Sequence, residues 1–371
     1  MCFRLTESTT SPPMKFLPCL LLALAWAMSA IGASVDLVSA ELSGAIQPQV
    51  AVAPGGRIHV VFGRNGVVYH TSSPDGRTFS TPVQVGSLEK LALGMRRGPR
   101  ITATDNLILI TAISHADGVV HTWLSRDDGK SWPPGAILNE VPSSAREGLQ
   151  ALAGDGHGRV AAAWLDLRHN KMELWSRMSS DGGQTWQPET MIYAAPEGPI
   201  CQCCHPSLAF APDGTLAAMW RNSVAGSRDL WLALSRDGGR TFPQPTKLGT
   251  GTWKFTACPM DGGSVAFDAK GQPVAVWRRA STVLASEAEN AEEHLADNAA
   301  QPVVAMGRSG RWVVWEEQGV LKCQHASEPP RVLAQQGHAA ALAALPDGRV
   351  FAAWENTANA AGAPFSAEIL P

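Results

Sequence analysis

Ser179-Ser180-Asp181-Gly182-Gly183-Gln184-Thr185-Trp186 is the stretch on which the reading of this chain turns. It returns as Ser235-Arg236-Asp237-Gly238-Gly239-Arg240-Thr241-Phe242 and as Ser125-Arg126-Asp127-Asp128-Gly129-Lys130-Ser131-Trp132. A fourth version runs from Ser72 to Phe79, with Pro74 where the alignment on glycine expects the aspartate. The aligned glycines Gly76, Gly129, Gly183 and Gly239 are 53, 54 and 56 residues apart. A near-constant period of this size means an array of like units, each unable to bury its apolar face alone. The chemistry of the turn is local. The Asp carboxylate accepts from backbone N–H groups of its own loop, the glycine supplies a positive φ, and the closing Trp or Phe packs the turn onto its sheet. These residues are read as structural.

Around the turns, an apolar strand, a Gly-containing turn and a second strand recur. The second strands are Arg57–Phe62, Leu107–Ala112, Arg159–Trp164, Thr215–Trp220, Gln272–Trp277, Arg311–Trp315 and Arg349–Trp354. Most are followed by a third strand and a polar turn. The recurrent Trp explains the aromatic imbalance of 13 Trp against 2 Tyr. Trp164, Trp220, Trp277 and Trp354 are expected between neighbouring sheets.

The turn resembles the Ser-x-Asp-x-Gly-x-Thr-Trp motif of BNR/Asp-box repeats, so residues 40–371 resemble the sialidase superfamily of β-propellers. Ala145-Arg146-Glu147-Gly148-Leu149-Gln150, Trp164-Leu165-Asp166-Leu167-Arg168, Cys201-Gln202-Cys203-Cys204-His205 and Cys258-Pro259-Met260-Asp261-Gly262-Gly263 resemble blocks of secreted bacterial proteins of the exo-α-sialidase-like group. The resemblance implies an all-β propeller of four-stranded antiparallel blades over residues 35–371. Seven second strands favour seven blades over the six usual in the family. The segment Val35–Leu42 alternates like a strand and could supply the outer strand missing from the last unit, closing the ring.

Propeller geometry then sorts residues by face. The Asp boxes occupy one face. The other carries the channel mouth, with loops holding Arg96, Arg97 and Arg100, then Arg146 and Glu147, then Cys201 to His205, then Cys258 and Asp261. Asp166, Arg168, Arg221 and Arg228 stand in the loops after the second strands. Clustered guanidinium groups suit a carboxylate or phosphate. Sialidases hold the sugar carboxylate with an arginine triad, so Arg97, Arg100, Arg146, Arg168, Arg221 and Arg228 are the candidate ligand-binding residues. The expected partner is an acidic glycan or another small anion. Glu147, Asp166 and Asp261 are the candidate acid/base carboxylates.

Retaining sialidases use a Tyr nucleophile. The last Tyr here is Tyr193, at the end of an outer strand, and Tyr69 sits in a third strand. Neither is placed for the channel, which argues against standard sialidase chemistry and leaves open a glycoside hydrolase of non-standard mechanism as well as a scaffold without activity.

The N-terminus reads as an export signal. Lys15 precedes an apolar run over Phe16–Ala30, and small residues follow at Gly32, Ala33 and Ser34. Residues 1–33 are therefore assigned as a signal peptide, with the mature chain starting near 31–34 and Met1 or Met14 as the start. The mature protein is expected in the periplasm or outside the cell, as a monomer without a membrane span. Its net charge of −3 and pI near 6.4 argue against nucleic acid. Five cysteines remain after cleavage, an odd number. Cys201, Cys203, Cys204, His205 and Cys258 are candidate ligands for Cu(I) or Zn(II), or else a disulfide such as Cys201 or Cys203 with Cys258 braces two blades.

Overall fold

The computed structural model describes residues 34–196, 198–287, 291–357 and 362–371. The assigned signal peptide, residues 1–33, lies outside them. Among the described residues, strands form seven antiparallel sheets, and helix is limited to one 3-10 turn at Ala40–Leu42. The inner strands of blades 1 to 7 are Ile46–Val52, Arg100–Ala103, Gln150–Gly154, Ser207–Phe210, Ser264–Phe267, Ala299–Gly307 and His338–Ala344. Each contacts the next and the last contacts the first, so the ring is closed. The protein is a seven-bladed β-propeller. Six blades have four strands. Blade 2 has three, with a single bridge between Trp123 and Pro134 in the outer place.

Closure follows the expected route. Val35–Asp36 pairs with Phe365–Leu370 in the register Val35↔Ala367 and Asp36↔Ser366. Both ends of the propeller thus meet in blade 7. The strand is shorter than the alternation over Val35–Leu42 suggested, because Ala40–Leu42 turns away. The acidic stretch Glu287–Asp297, read from sequence as a solvated turn, ends in a strand instead. Glu293–Asp297 is the outer strand of blade 5, and Glu293 and Glu287 both pair with the buried Arg311.

The apolar cores lie between blades. Alanines and valines of the second strands fill them, and at five of the seven junctions a Trp ending the second strand supplies bulk. Trp164 sits between blades 2 and 3, Trp220 between 3 and 4, Trp277 between 4 and 5, Trp315 between 5 and 6, and Trp354 between 6 and 7. At the equivalent place blade 1 has Phe62, packed on Phe365, and blade 2 has Ala112, with Trp123 filling that junction. A buried indole N–H needs an acceptor. Trp164 donates to Asp166 at 2.8 Å and Trp220 to Asn222 at 3.0 Å, each two residues on along the same strand and loop.

The Asp boxes are hydrogen-bonded turns as expected. Ser179 Oγ donates to Asp181 Oδ1 at 2.8 Å and accepts from Gly183 N–H at 2.9 Å. Asp181 also accepts from the Thr185 N–H and hydroxyl at 2.8 and 2.6 Å. The first copy corrects the sequence alignment. Asp75 takes the aspartate's place and Ser73 the serine's: Ser73 Oγ donates to Asp75 at 2.9 Å, Gly76 N–H donates to Ser73 Oγ at 2.9 Å, and Thr78 N–H donates to Asp75 at 2.9 Å. The turn is one residue shorter and chemically intact. Aligning on the glycine alone hid this.

Behind that turn, His59 and His70 stack with ring nitrogens 3.1 Å apart, and His70 meets Trp132 edge-on. Burial lowers His59 to about 4, with Asp128 opposing and Arg57 assisting. Burial, then the neighbouring His59, lowers His70 to about 3. Both folded-state values lie below the ordinary 6.5, so the unfolded chain takes up protons first. Their contribution is complete above about pH 6.5 and is lost as pH falls toward 4. Thermal unfolding midpoints should drop between pH 7 and pH 4.5, above the range where the Asp boxes titrate. The His59→Gln/His70→Gln double variant should flatten that drop. An equal drop in wild type and variant would show that the pair is not its source.

Candidate functional site

The inner strands surround a central channel. At the Asp-box end it opens into a space of about 650 Å³ lined by the backbone turns near Pro54, Asp155, Gly156 and Pro346. At the opposite end is a smaller cavity of about 220 Å³, and its lining is polar: Gln49, Arg96, Arg100, His205, Ser207 and Ser264 stand among short aliphatic side chains.

Arg96 and Arg100 are held by backbone. The chain turns through left-handed positions at Met95 and Arg96, with φ of 51° and 63°, which aims Arg96 inward. Its guanidinium donates to Gln301 Oε1 at 2.9 Å, Ala340 O at 2.8 Å and Gln301 O at 3.0 Å. Arg100 donates to Gly98 O and Pro99 O, both at 3.1 Å, and to Arg96 O at 2.5 Å. A guanidinium has five N–H donors, so each retains about two, and neither has a carboxylate partner among the described residues. Burial, then the charge of Arg96, lowers Arg100 to about 10, which leaves it charged at neutral pH.

His205 stands beside the two arginines. Its Nε2 donates to Gly263 O at 3.1 Å, and its Nδ1 is buried without a partner. Burial and then the charges of Arg96 and Arg100 hold it well below the ordinary histidine value, so the ring is neutral and Nδ1 is an open acceptor.

The other candidate residues go elsewhere. Asp261, fully buried, accepts from Gln301 N–H at 2.7 Å and so braces the residue that holds Arg96. Arg221 is also buried. It gives its guanidinium to the carbonyls of Asp261 at 2.9 Å, Arg278 at 3.0 Å and Arg228. Arg228 donates to Phe255 O at 3.2 Å. Arg97 turns outward to Glu147, donating to its carbonyl at 2.6 Å. Arg146 is exposed and its guanidinium has no partner among the described residues.

Asp166 and Arg168 are spent on each other. Asp166 accepts from the Arg168 N–H at 2.8 Å, from Arg168 Nε and Nη2 at 2.9 Å each, and from Ser144 Oγ at 2.7 Å. Burial alone would raise this carboxyl. The hydrogen bonds from Arg168, Ser144 and Trp164 outweigh burial and hold it below the ordinary value. Arg168 reaches outward to Glu189 at 2.5 Å and lies 3.7 Å over the Trp175 ring. This places the pair among the outer strands, away from the cavity.

Tyr193 packs on Trp220 with ring centroids 4.8 Å apart, and Tyr69 stacks on Phe62. Neither lines the cavity, and no carboxylate does among the described residues. Sequence reading put Arg96 at the channel mouth but not among the ligand-binding candidates, and it missed Gln49, Ser207 and Ser264. Arg96 stood next to Arg97, and only the left-handed turn at Met95–Arg96 decides which of the two faces inward.

The thiols form a separate group beside Arg221 and Arg228. Cys201 Sγ is 3.4 Å from both Cys203 Sγ and Cys204 Sγ, and all three are buried. All five described cysteines are unpaired, and Cys258 is exposed. Hydrogen bonds with Cys203 and Cys204 push Cys201 down, those with Cys201 push Cys203 up, and burial pushes Cys204 up. His205, adjacent in sequence, faces the cavity rather than the sulfurs.

Residues 100–261 match the family model described as a BNR repeat-like domain, a span that contains three of the Asp boxes. Over that span the chain is similar to BNR repeats, and the fold is the seven-bladed β-propeller. Its fold is shared with glycoside hydrolases among the solved structures. The α-L-arabinanase of Penicillium chrysogenum, solved with arabinobiose, superposes with a TM-score of 0.53 at 15% identity, covering 91% of this chain and 97% of that one. The intramolecular trans-sialidase of Ruminococcus gnavus, solved with oseltamivir carboxylate, gives 0.51 at 11% identity, covering 91% and 97%. A streptogramin B lyase gives 0.54 at 10% identity, covering 91% and 98%. At these identities the likeness concerns the fold. No curated protein matches the chain in sequence. No helix among the described residues is long and apolar enough to cross a membrane.

Proposed function

We propose that this propeller is an exported receptor for an acidic glycan, with the sugar carboxylate seated between Arg96 and Arg100, and His205 beside it. One observation carries the reading: a polar cavity on the propeller axis presents two buried guanidinium groups with spare donors and has no carboxylate in its lining. A carboxylate entering it meets paired donors in a site already desolvated. The neutral His205 Nδ1 and the hydroxyls of Ser207 and Ser264 are suited to the sugar's own hydroxyl groups. Binding, rather than hydrolysis, is the expected activity, because the lining offers no tyrosine nucleophile and no acid. Export rests on the basic and apolar pattern over Lys15–Ala30. The acidic sugar as ligand is consistent with a fold that other proteins use on glycans.

Calorimetry with N-acetylneuraminate and galacturonate, against neutral galactose, tests this. The acids should bind saturably and galactose should not. Arg100→Ala and Arg96→Ala should each weaken binding about 10- to 100-fold, the size of one or two charge-assisted hydrogen bonds. Arg146→Ala should leave it unchanged. Equal binding of galactose, or an unaffected Arg100→Ala variant, would remove the proposal.

A further inference from the structure

The three thiols at the start of blade 4 have no part in the cavity and none in the blade packing. The cores at the seven junctions are built mostly from aliphatic and aromatic side chains, with the single buried Cys323 in the junction of blades 6 and 7. Cys201, Cys203 and Cys204 instead form a buried satellite cluster, with the exposed Cys258 in side-chain contact with Cys203. As mere filling, three adjacent thiols do nothing that alanine or valine would not do better. Their positions are nevertheless fixed: Cys201 N–H donates to Arg221 O at 2.8 Å, and Ile200 bridges Asn222.

The sulfurs form a triangle. Two sides are 3.4 Å, and all three ligand atoms lie within 4.8 Å of one another. A point equidistant from them is about 2.0–2.4 Å from each, which brackets the ~2.3 Å metal–thiolate bond. The set is soft and contains no nitrogen or oxygen, since His205 donates to Gly263 O in the cavity. It is also incomplete for zinc, whose structural sites are almost always four-coordinate. The nearest further thiol, Cys258, hydrogen-bonds with Cys203 but is exposed and lies outside the group of three whose sulfurs are mutually within 4.8 Å. Thiolates select soft ions, Cu(I) among them. Two cations, Arg228 beside Cys201 and Arg221 beside Cys204, are near enough to offset the negative charge of a metal–trithiolate centre.

We infer that Cys201, Cys203 and Cys204 form a three-thiolate site for one Cu(I) ion. Binding is a substitution without electron transfer. Each coordinating thiol releases its proton to solvent, three copper–sulfur bonds form, and copper stays monovalent. The site is independent of the acidic-glycan reading, and either can fail alone.

The test is anaerobic titration of the reduced, purified chain with Cu(I) against a competing Cu(I) chelator. One equivalent should be retained, with X-ray absorption showing three sulfur neighbours and no nitrogen. Cys201→Ser and Cys204→Ser should each lose the copper, while Cys258→Ser keeps it. Cu(I) should also raise the thermal midpoint of the wild type. It should not do so in the Cys201→Ser/Cys203→Ser/Cys204→Ser variant, whose fold is checked by circular dichroism. The inference is overturned if the folded wild type retains no copper, or if Cys258→Ser loses it as completely as Cys201→Ser. It is equally overturned if the site takes Zn(II) with four sulfurs in preference, or if a disulfide among the three resists thiol reductants.

Discussion

Asp166→Ala should destabilise the propeller by about 3–5 kcal/mol, the usual range for removing one partner of a buried ion pair. The side chain is completely buried and ties four groups together. Its loss leaves the indole N–H of Trp164 and the hydroxyl of Ser144 without their acceptor, and it strips Arg168 of its bidentate partner. Glu189 keeps one contact to Arg168, so the guanidinium stays beneath the outer strand with a single counter-charge. Urea unfolding of the variant measures the effect. Adding Arg168→Met to Asp166→Ala should recover part of the loss, because the uncompensated charge disappears while the chain still covers Trp175. A cost below about 1 kcal/mol would mean that the network is not structural, and the acid/base role read from sequence would then need reopening.

Trp220→Ala should cost a similar amount, about 3–5 kcal/mol. The ring is wholly buried between blades 3 and 4, against Leu149, Ala163, Leu165 and Tyr193. A propeller junction is a thin layer of side chains between two sheets. Neither sheet can collapse into the void, because its register is held by ladders on both sides. Trp220→Phe should retain most of the apolar contact and lose only the 3.0 Å hydrogen bond to Asn222, at about 1–2 kcal/mol. The denaturant midpoints of the two variants give the comparison. If alanine and phenylalanine were equally damaging, the hydrogen bond rather than the packing would be the dominant contribution.

The two predictions also mark where sequence reading works. The role of Trp220 was legible, because a Trp recurring at the end of second strands is a pattern in chain order. That of Asp166 was not. Its spacing beside Arg168 fits a catalytic loop as well as it fits a brace, and the difference lies in the neighbouring Trp164 and in Ser144 and Glu189, which come from two other places in the chain. The arginines behave alike. Arg100 faces the cavity, Arg221 supports it from beneath, and Arg97 and Arg168 point away. Composition counted them all as one group, because each stands in a loop on the same face. Direction within a loop depends on one or two φ values, such as those at Met95 and Arg96.

The sequence by itself determined the repeat and favoured seven blades and a ring closed by the N-terminal strand. These rest on periodic patterns and local turn chemistry, in which a residue's neighbours in the chain are also its neighbours in space. It also marked the cysteine run and the shortage of tyrosine. Only the tertiary structure decided which charges are free and which are spent. It drew Arg96, Arg100 and His205 from blades 2 and 4 onto one axis, and it parted His205 from the cysteines beside it. Hydrogen-bond partners across blades set those outcomes, and they lie 40 or more residues apart along the chain.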